Sequence, residues 1–109
     1  MAGQVATGTT TNAFTRVLAY DTLAHQGPVL VKNTGATNSM DVEVRGFPYR
    51  AQGSQTAPTL YRLILRRAVP VTDGQNILLV DVNVAFGDIQ VLVRSSGAGS
   101  STTYRGEAP

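Results

Sequence analysis

The sequence predicts an all-β protein, namely a small antiparallel β-sandwich (jelly-roll or immunoglobulin-like, six to seven strands) with extended N- and C-terminal arms. The first observation is composition. Thirteen valines and thirteen threonines outnumber nine leucines, and lysine and glutamate together number three. Branched side chains favour strands, whereas Leu, Lys and Glu favour helices. The second observation is the short, regular spacing of segments in which apolar and polar residues alternate.

Three segments alternate clearly. In residues 40–46 the apolar side chains occupy positions 40, 42 and 44, and the charged ones occupy 41, 43 and 45. This pattern predicts an antiparallel strand with one solvated face. Residues 78–84 and 89–93 repeat it and predict two more strands. Less regular strands are predicted over residues 14–20 and 29–32, and a further one over residues 102–104.

Turn-forming residues separate neighbouring strands. Residues 85–88 (Ala-Phe-Gly-Asp) predict a hairpin with Gly87 at a positive φ. Residues 33–39 supply Asn, Thr, Gly and Ser between two strands and predict a second hairpin. Pro70 and residues 72–75 (Thr-Asp-Gly-Gln) predict a turn before the strand that follows.

Residues 59–68 allow two interpretations. Leu60, Leu63 and Ile64 fit one face of a helix that Thr59 would cap. Alternation instead predicts a strand with Arg62 and Arg66 on one face and Arg67 on the other. Because sheet surrounds this segment on both sides, we favour the strand.

The two ends differ from the middle of the chain. Residues 1–12 carry no charge and are rich in Thr and Gly, and residues 96–109 are rich in Ser and Gly. Neither end can bury enough apolar area to fold alone. We therefore divide the chain into an N-terminal arm (1–12), a β-sandwich domain (13–95) and a C-terminal arm (96–109). A neighbouring subunit would order the arms.

Composition excludes several classes of protein. The 109 residues suffice for one domain, and no apolar run is long enough to cross a membrane. The N-terminal segment lacks the features of a signal peptide. Cysteine is absent and His25 is the single histidine, so no catalytic constellation stands out. Residues 81–88 begin like a calcium loop, but alanine at the fifth position breaks the pattern. We expect no enzymatic activity, cofactor, metal or small-molecule substrate.

The basic residues favour a protein contact. Eight of nine are arginine, and the net charge of +2 is low for a nucleic-acid-binding domain, so direct nucleic-acid contact is not expected. Arginines and aromatic residues are enriched at protein interfaces. The expected partner is therefore another protein subunit. The candidate interface residues are Phe47, Tyr49, Arg50, Arg62, Arg66, Arg67, Phe86, Tyr104 and Arg105.

The layout resembles a known class of virion protein. A Thr- and Gly-rich N-terminal segment precedes VLVKNTG (29–35), the alternating strand 40–46, VTDGQN (71–76) and IQVLVRSS (89–96). This arrangement looks like the small β-sandwich structural proteins of tailed-phage virions, either capsid decoration or cement proteins or head-to-tail accessory proteins. The resemblance implies a non-catalytic subunit located in the virion, with identical subunits and a neighbouring capsid, tail or filament protein as its partners. Two alternatives stay open: an extracellular filament or surface-layer subunit that assembles by strand exchange, and a carbohydrate-binding accessory module.

Overall fold

Eight β-strands run through the described part of the chain. The structure, a computed structural model, describes residues 3–22, 27–51, 54, 56–71, 77–80 and 86–109. The strands are β1 (Gln4–Thr9), β2 (Thr15–Tyr20), β3 (Val29–Asn33), β4 (Met40–Phe47), β5 (Arg62–Val69), β6 (Ile77–Val80), β7 (Asp88–Ser95) and β8 (Thr103–Ala108). Several predictions concern residues outside this described part. They are His25, the turn at 72–75, residues 81–84 of the strand predicted over 78–84, and residues 81–85 of the calcium-like segment.

The strands form two four-stranded sheets. The first has the order β1-β8-β3-β6 and the second β2-β7-β4-β5, and every pairing is antiparallel. The chain changes sheet after each strand except between β4 and β5. This eight-stranded, two-sheet order is that of a jelly roll. The predicted all-β sandwich is therefore confirmed, and the topology distinguishes the jelly roll from the immunoglobulin-like alternative.

The two ends of the chain are paired strands, so the prediction of extended arms is wrong for residues 4–9 and 103–108. β1 pairs with β8 along its whole length, from Gln4 opposite Ala108 to Thr9 opposite Thr103. β1 and β8 are each too polar to fold alone, but as a pair they turn Ala6, Tyr104 and Ala108 toward the core. Tyr104 fills the space above Gly8, where a Cβ atom would lie 2.7 Å from the tyrosine hydroxyl oxygen. β8 begins within the strand predicted over residues 102–104, and β1, which was not predicted, brings the count to eight.

Both predicted hairpins are also wrong, because each turn carries the chain to the opposite sheet. β3 and β4 belong to different sheets, and so do β6 and β7. Gly87 does not have a positive φ, unlike Gly27 and Gly99. Gly87 is required for a different reason: a Cβ atom there would lie 2.4 Å from the Cα of Tyr49. Turn-forming residues predict that the chain reverses direction, but they do not determine which strand the next segment pairs with.

The core lies between the sheets, where the alternation predicted it. Apolar side chains from β2, β3, β4, β5, β7 and β8 are buried there: Leu18, Tyr20, Val29, Val31, Met40, Val42, Val44, Val69, Ile89, Val91, Val93 and Ala108. The segment predicted as strand or helix is strand β5.

A buried asparagine closes one end of the sandwich. The Asn33 side chain is fully buried, and its Nδ2 donates to the carbonyl oxygens of Asn38 (2.8 Å) and Val69 (3.2 Å). Its Oδ1 accepts hydrogen bonds from the Gly35 amide (2.9 Å) and the Thr102 hydroxyl (2.8 Å). One side chain thus ties the β3–β4 connection to the end of β5 and the entry to β8. Every polar atom of the amide group is satisfied, as burial demands.

We predict that Asn33→Ala destabilises the protein by about 2–3 kcal/mol, because it leaves several buried polar groups without partners. Asn38→Ala is the matched control, since its side chain makes a single exposed hydrogen bond to the Ser101 carbonyl. Its expected cost is about 0.5 kcal/mol. Urea unfolding of the three proteins measures both values. Equal losses in the two variants would contradict the role assigned to Asn33.

Candidate interaction surface

A buried carboxylate lies on the outer face of the second sheet. Glu43, in the middle of β4, is fully buried although its side chain points away from the core. Its two oxygens accept hydrogen bonds from Arg45 Nε and Arg66 Nη2, each at 3.1 Å. Leu92 lies opposite Glu43 on β7 and is also buried. The alternation in residues 40–46 predicted a solvated face here; that prediction is wrong at Glu43, because neighbouring side chains cover it.

The two arginines determine the charge state of Glu43. Burial by itself raises the pKa of its carboxyl group, but the hydrogen bonds and positive charges of Arg45 and Arg66 outweigh this, so the pKa of Glu43 lies below its ordinary value. The carboxylate therefore stays ionised, and it fixes two arginines whose outer parts reach solvent.

An aromatic ring extends this surface toward β2. Arg94 Nε donates to Asp41 Oδ2 at 3.0 Å, and the Arg94 guanidinium lies 4.3 Å from the centre of the Phe14 ring. Arg66 approaches the same ring at 5.5 Å. Such contacts over an aromatic face are attractive. We call the surface formed by Asp41, Glu43, Arg45, Arg66 and Arg94 the arginine face.

A β-bulge changes the direction of Arg62. The register between β4 and β5 passes from Val44–Leu65 to Arg45–Leu63, so Ile64 is an extra residue. Arg62 then lies opposite Gly46, whereas Arg66 lies opposite Glu43. The prediction that Arg62 and Arg66 share a face is therefore wrong, since simple alternation does not hold across a bulge.

Exposed apolar side chains gather where β5 begins. Leu60 is 82% exposed, Leu63 47% and Tyr61 42%. We call these three residues the apolar rim. An open depression of about 350 Å³ lies beside them, lined by Gly46, Pro48, Leu60, Tyr61, Arg62 and Phe86. Apolar side chains exposed together on a small sandwich indicate an interaction site.

Close packing of two loops supports the depression. The Phe86 ring lies directly over Gly46, where a Cβ atom would come within 2.5 Å of it. The Gly87 amide donates to the Phe47 carbonyl at 3.0 Å. The Phe47 ring in turn packs against Tyr61, with 5.3 Å between the ring centres, and the Arg45 guanidinium lies over the Tyr61 ring, 4.6 Å from its centre. The floor of the depression is therefore held in place by backbone and ring contacts.

The structure brings most of the predicted interface residues to one end of the second sheet. Phe47, Tyr49, Arg50, Arg62 and Phe86 all lie around the depression or in the loops that support it. Phe47 is nearly buried, and Tyr49 is 45% exposed. Arg50 pairs with Asp88 at 3.4 Å.

The other four predicted residues are divided between the two sheets. Arg66 belongs to the arginine face, and Arg67 lies exposed on β5. Tyr104 points between the sheets and packs against the core. Arg105 lies on the outer face of the first sheet and pairs with Glu107 at 3.0 Å. Tyr104 and Arg105 are therefore separate from the surface that the other residues form.

Sequence reasoning missed the acidic and aromatic partners of the arginines. Asp41 and Glu43 were identified only as polar positions, and Phe14 only as the start of a strand. The register that brings them to Arg94 and Arg66 depends on which strands pair, and no local pattern specifies this. The one local signal for the exposed Leu60, Tyr61 and Leu63 is that these apolar residues lie beside Arg62, Arg66 and Arg67 in the sequence.

Neither a protein-family model nor a curated protein sequence matches this chain. In the part of the chain that the structure describes, no helix is long and apolar enough to cross a membrane. The described residues also contain no group of three or more carboxylate or imidazole side chains placed to hold a metal ion.

We predict that Glu43→Gln destabilises the protein at neutral pH by about 1–2 kcal/mol, because it removes a charge that two arginines stabilise. Since the pKa of Glu43 is lower in the folded state, its contribution is present above the unfolded-state pKa and is lost as the pH falls through the folded-state pKa. The difference between the wild type and the variant should therefore shrink in acid. Urea unfolding at pH 7 and pH 3 measures it; a difference that is constant or larger at pH 3 would contradict the prediction.

Proposed function

We propose that this protein is a non-catalytic structural subunit of a virion, present in many copies, that docks onto a neighbouring capsid or tail protein. Contact is made through the edge of the second sheet, at the apolar rim and the depression beside it. The protein's role is to bridge or cover its neighbours. Rigid placement of an interaction surface serves this role, and no chemical step is required.

The observation that carries the proposal is the apolar rim. Leu63 lies on the edge strand β5, and Leu60 and Tyr61 directly precede it. The unpaired backbone groups of this edge add to the tendency to associate. Natural proteins protect such edges unless the edge is used, and the exposed leucines here do not protect it. The arginine face beside the rim adds charged groups that are already fixed in position by Glu43 and Asp41. Little side-chain entropy is then lost on contact.

Fold analogy supports the virion as the location. Jelly rolls recur in viral capsid proteins, although they also occur in lectins and cupins. The way in which the protein contacts its neighbours differs from the one expected from the sequence. β1 and β8 pair within the protomer and do not serve as arms.

We predict that the protein cofractionates with virus particles from its source at a fixed ratio to the major shell protein. Density-gradient centrifugation followed by quantitative mass spectrometry measures this ratio. Recovery of the protein solely in the soluble fraction, with particles free of it, would contradict the proposal.

A matched pair of variants tests the contact surface. Leu63→Asp should lower the occupancy on particles at least about tenfold, because it buries a charge in the contact. Val5→Asp is the control, since Val5 is 56% exposed on β1, in the other sheet. Its occupancy should stay within about twofold of the wild type.

A further inference from the structure

The free edge of β5 is strongly basic. β5 is the last strand of the second sheet and pairs with β4 on one side. Three of its eight residues are arginines, Arg62, Arg66 and Arg67, and all three are exposed. Arg66 is held by Glu43, whereas neither Arg62 nor Arg67 forms an ion pair with a carboxylate of the described residues. No acidic residue lies on β5 itself.

Within the part of the chain that the structure describes, no edge strand of a second copy can supply the missing negative charge. The edge strands of the two sheets are β1, β2, β5 and β6, and none of them contains aspartate or glutamate. Pairing β5 with the β5 of another copy would bring six arginines together, and like charges facing each other across strands are destabilising. The alternating acidic segment at the start of β4 is paired on both sides within its own sheet.

We propose that β5 accepts an extended, acidic segment of a different protein as a fifth strand of the second sheet. Backbone hydrogen bonds along the edge would supply affinity, and the side chains would supply specificity, as in other cases of strand addition. This inference rests on the proposed function and names the chemistry of the partner at the same surface.

The positions on β5 specify the partner sequence. Every strand pairing among the described residues is antiparallel, so we place the added strand antiparallel to β5. Acidic residues then lie opposite Arg67 and Arg66, and β-branched apolar residues lie opposite Leu65 and Leu63. A third acid faces Arg62.

Beyond this acid, the added strand reaches the depression beside the apolar rim. A large apolar side chain at its carboxyl end enters this depression, between Leu60 and Phe86. The partner segment therefore begins with acids and ends with a bulky apolar anchor.

The probe is a fluorescently labelled, end-capped peptide, TEEVTVEFT, titrated with the protein and followed by anisotropy. We expect saturable binding that weakens with salt. The charge-reversed peptide TKKVTVKFT should not bind. Two further peptides carry N-methyl groups on alternate residues, one on the even positions and one on the odd. Because a strand pairs with its neighbour through alternate residues, one of these two should lose binding.

The protein variants are Arg67→Glu and its control Arg16→Glu. Arg16 lies exposed on β2, at the opposite edge of the same sheet, and forms no ion pair with a described carboxylate. Arg67→Glu should weaken peptide binding at least about tenfold and Arg16→Glu less than about twofold. Circular dichroism of both variants should match the wild type, which separates loss of binding from loss of folding.

Four results would overturn the inference. The first three are no binding of TEEVTVEFT, equal binding of the charge-reversed peptide, and unchanged binding of both N-methylated peptides. The fourth is displacement of the peptide by a twelve-nucleotide oligothymidine at equal concentration, which would identify the edge as a nucleic-acid site. If the protein cofractionates with particles but the peptide does not bind, this inference fails while the proposed function stands. If the peptide binds but cofractionation fails, the strand-accepting edge stands and the virion role fails.

Discussion

The final strand of the chain occupies an interior position in the first sheet, and the rest of the fold depends on it. β8 pairs with β1 on one side and with β3 on the other. Without it, β1 would have no strand partner among the described residues, and Gly106 and Ala108 would not cover the core. The native sheet can therefore form only when the two ends of the chain meet, a non-local pairing that must overcome a large loop-closure entropy.

This constraint determines which surfaces are left for other molecules. Because β1 and β8 pair with each other within the protomer, neither of these two strands is free to extend to a neighbour, which leaves the edges and outer faces of the described sheets for association. β5 differs from the other three edge strands because it combines arginines with the neighbouring apolar rim. The bulge at Ile64 places Arg62 on the same face of this edge as Arg67, whereas Arg66 lies on the other face. Glu43 holds Arg66 and Arg45 in place from within the sheet.

The sequence predicts the strands better than it predicts their pairing. Alternation in residues 40–46 and 89–93 identified β4 and β7 and their core residues, because burial of one face imposes a period of two. The same rule failed at β1, whose inward residues are Gln, Ala and Gly and leave no apolar pattern. It also placed Glu43 in solvent, because the cover that Arg66 provides exists only once β4 and β5 pair and bring Arg66 opposite Glu43. The candidate site was predicted in part: Arg62, Arg66 and Phe86 were identified, but Arg45, Arg94 and the carboxylates that they bind were not.

Amide hydrogen exchange, followed by NMR on dilute protein, tests the central claim most directly. If β8 is an interior strand of the protomer, its amides from Thr103 to Ala108 should be protected to the same degree as those of β7, at every protein concentration. Exchange of the β8 amides within seconds at low concentration, with protection appearing only as the concentration rises, would contradict the account. The C-terminal segment would then be an arm that depends on a neighbouring subunit.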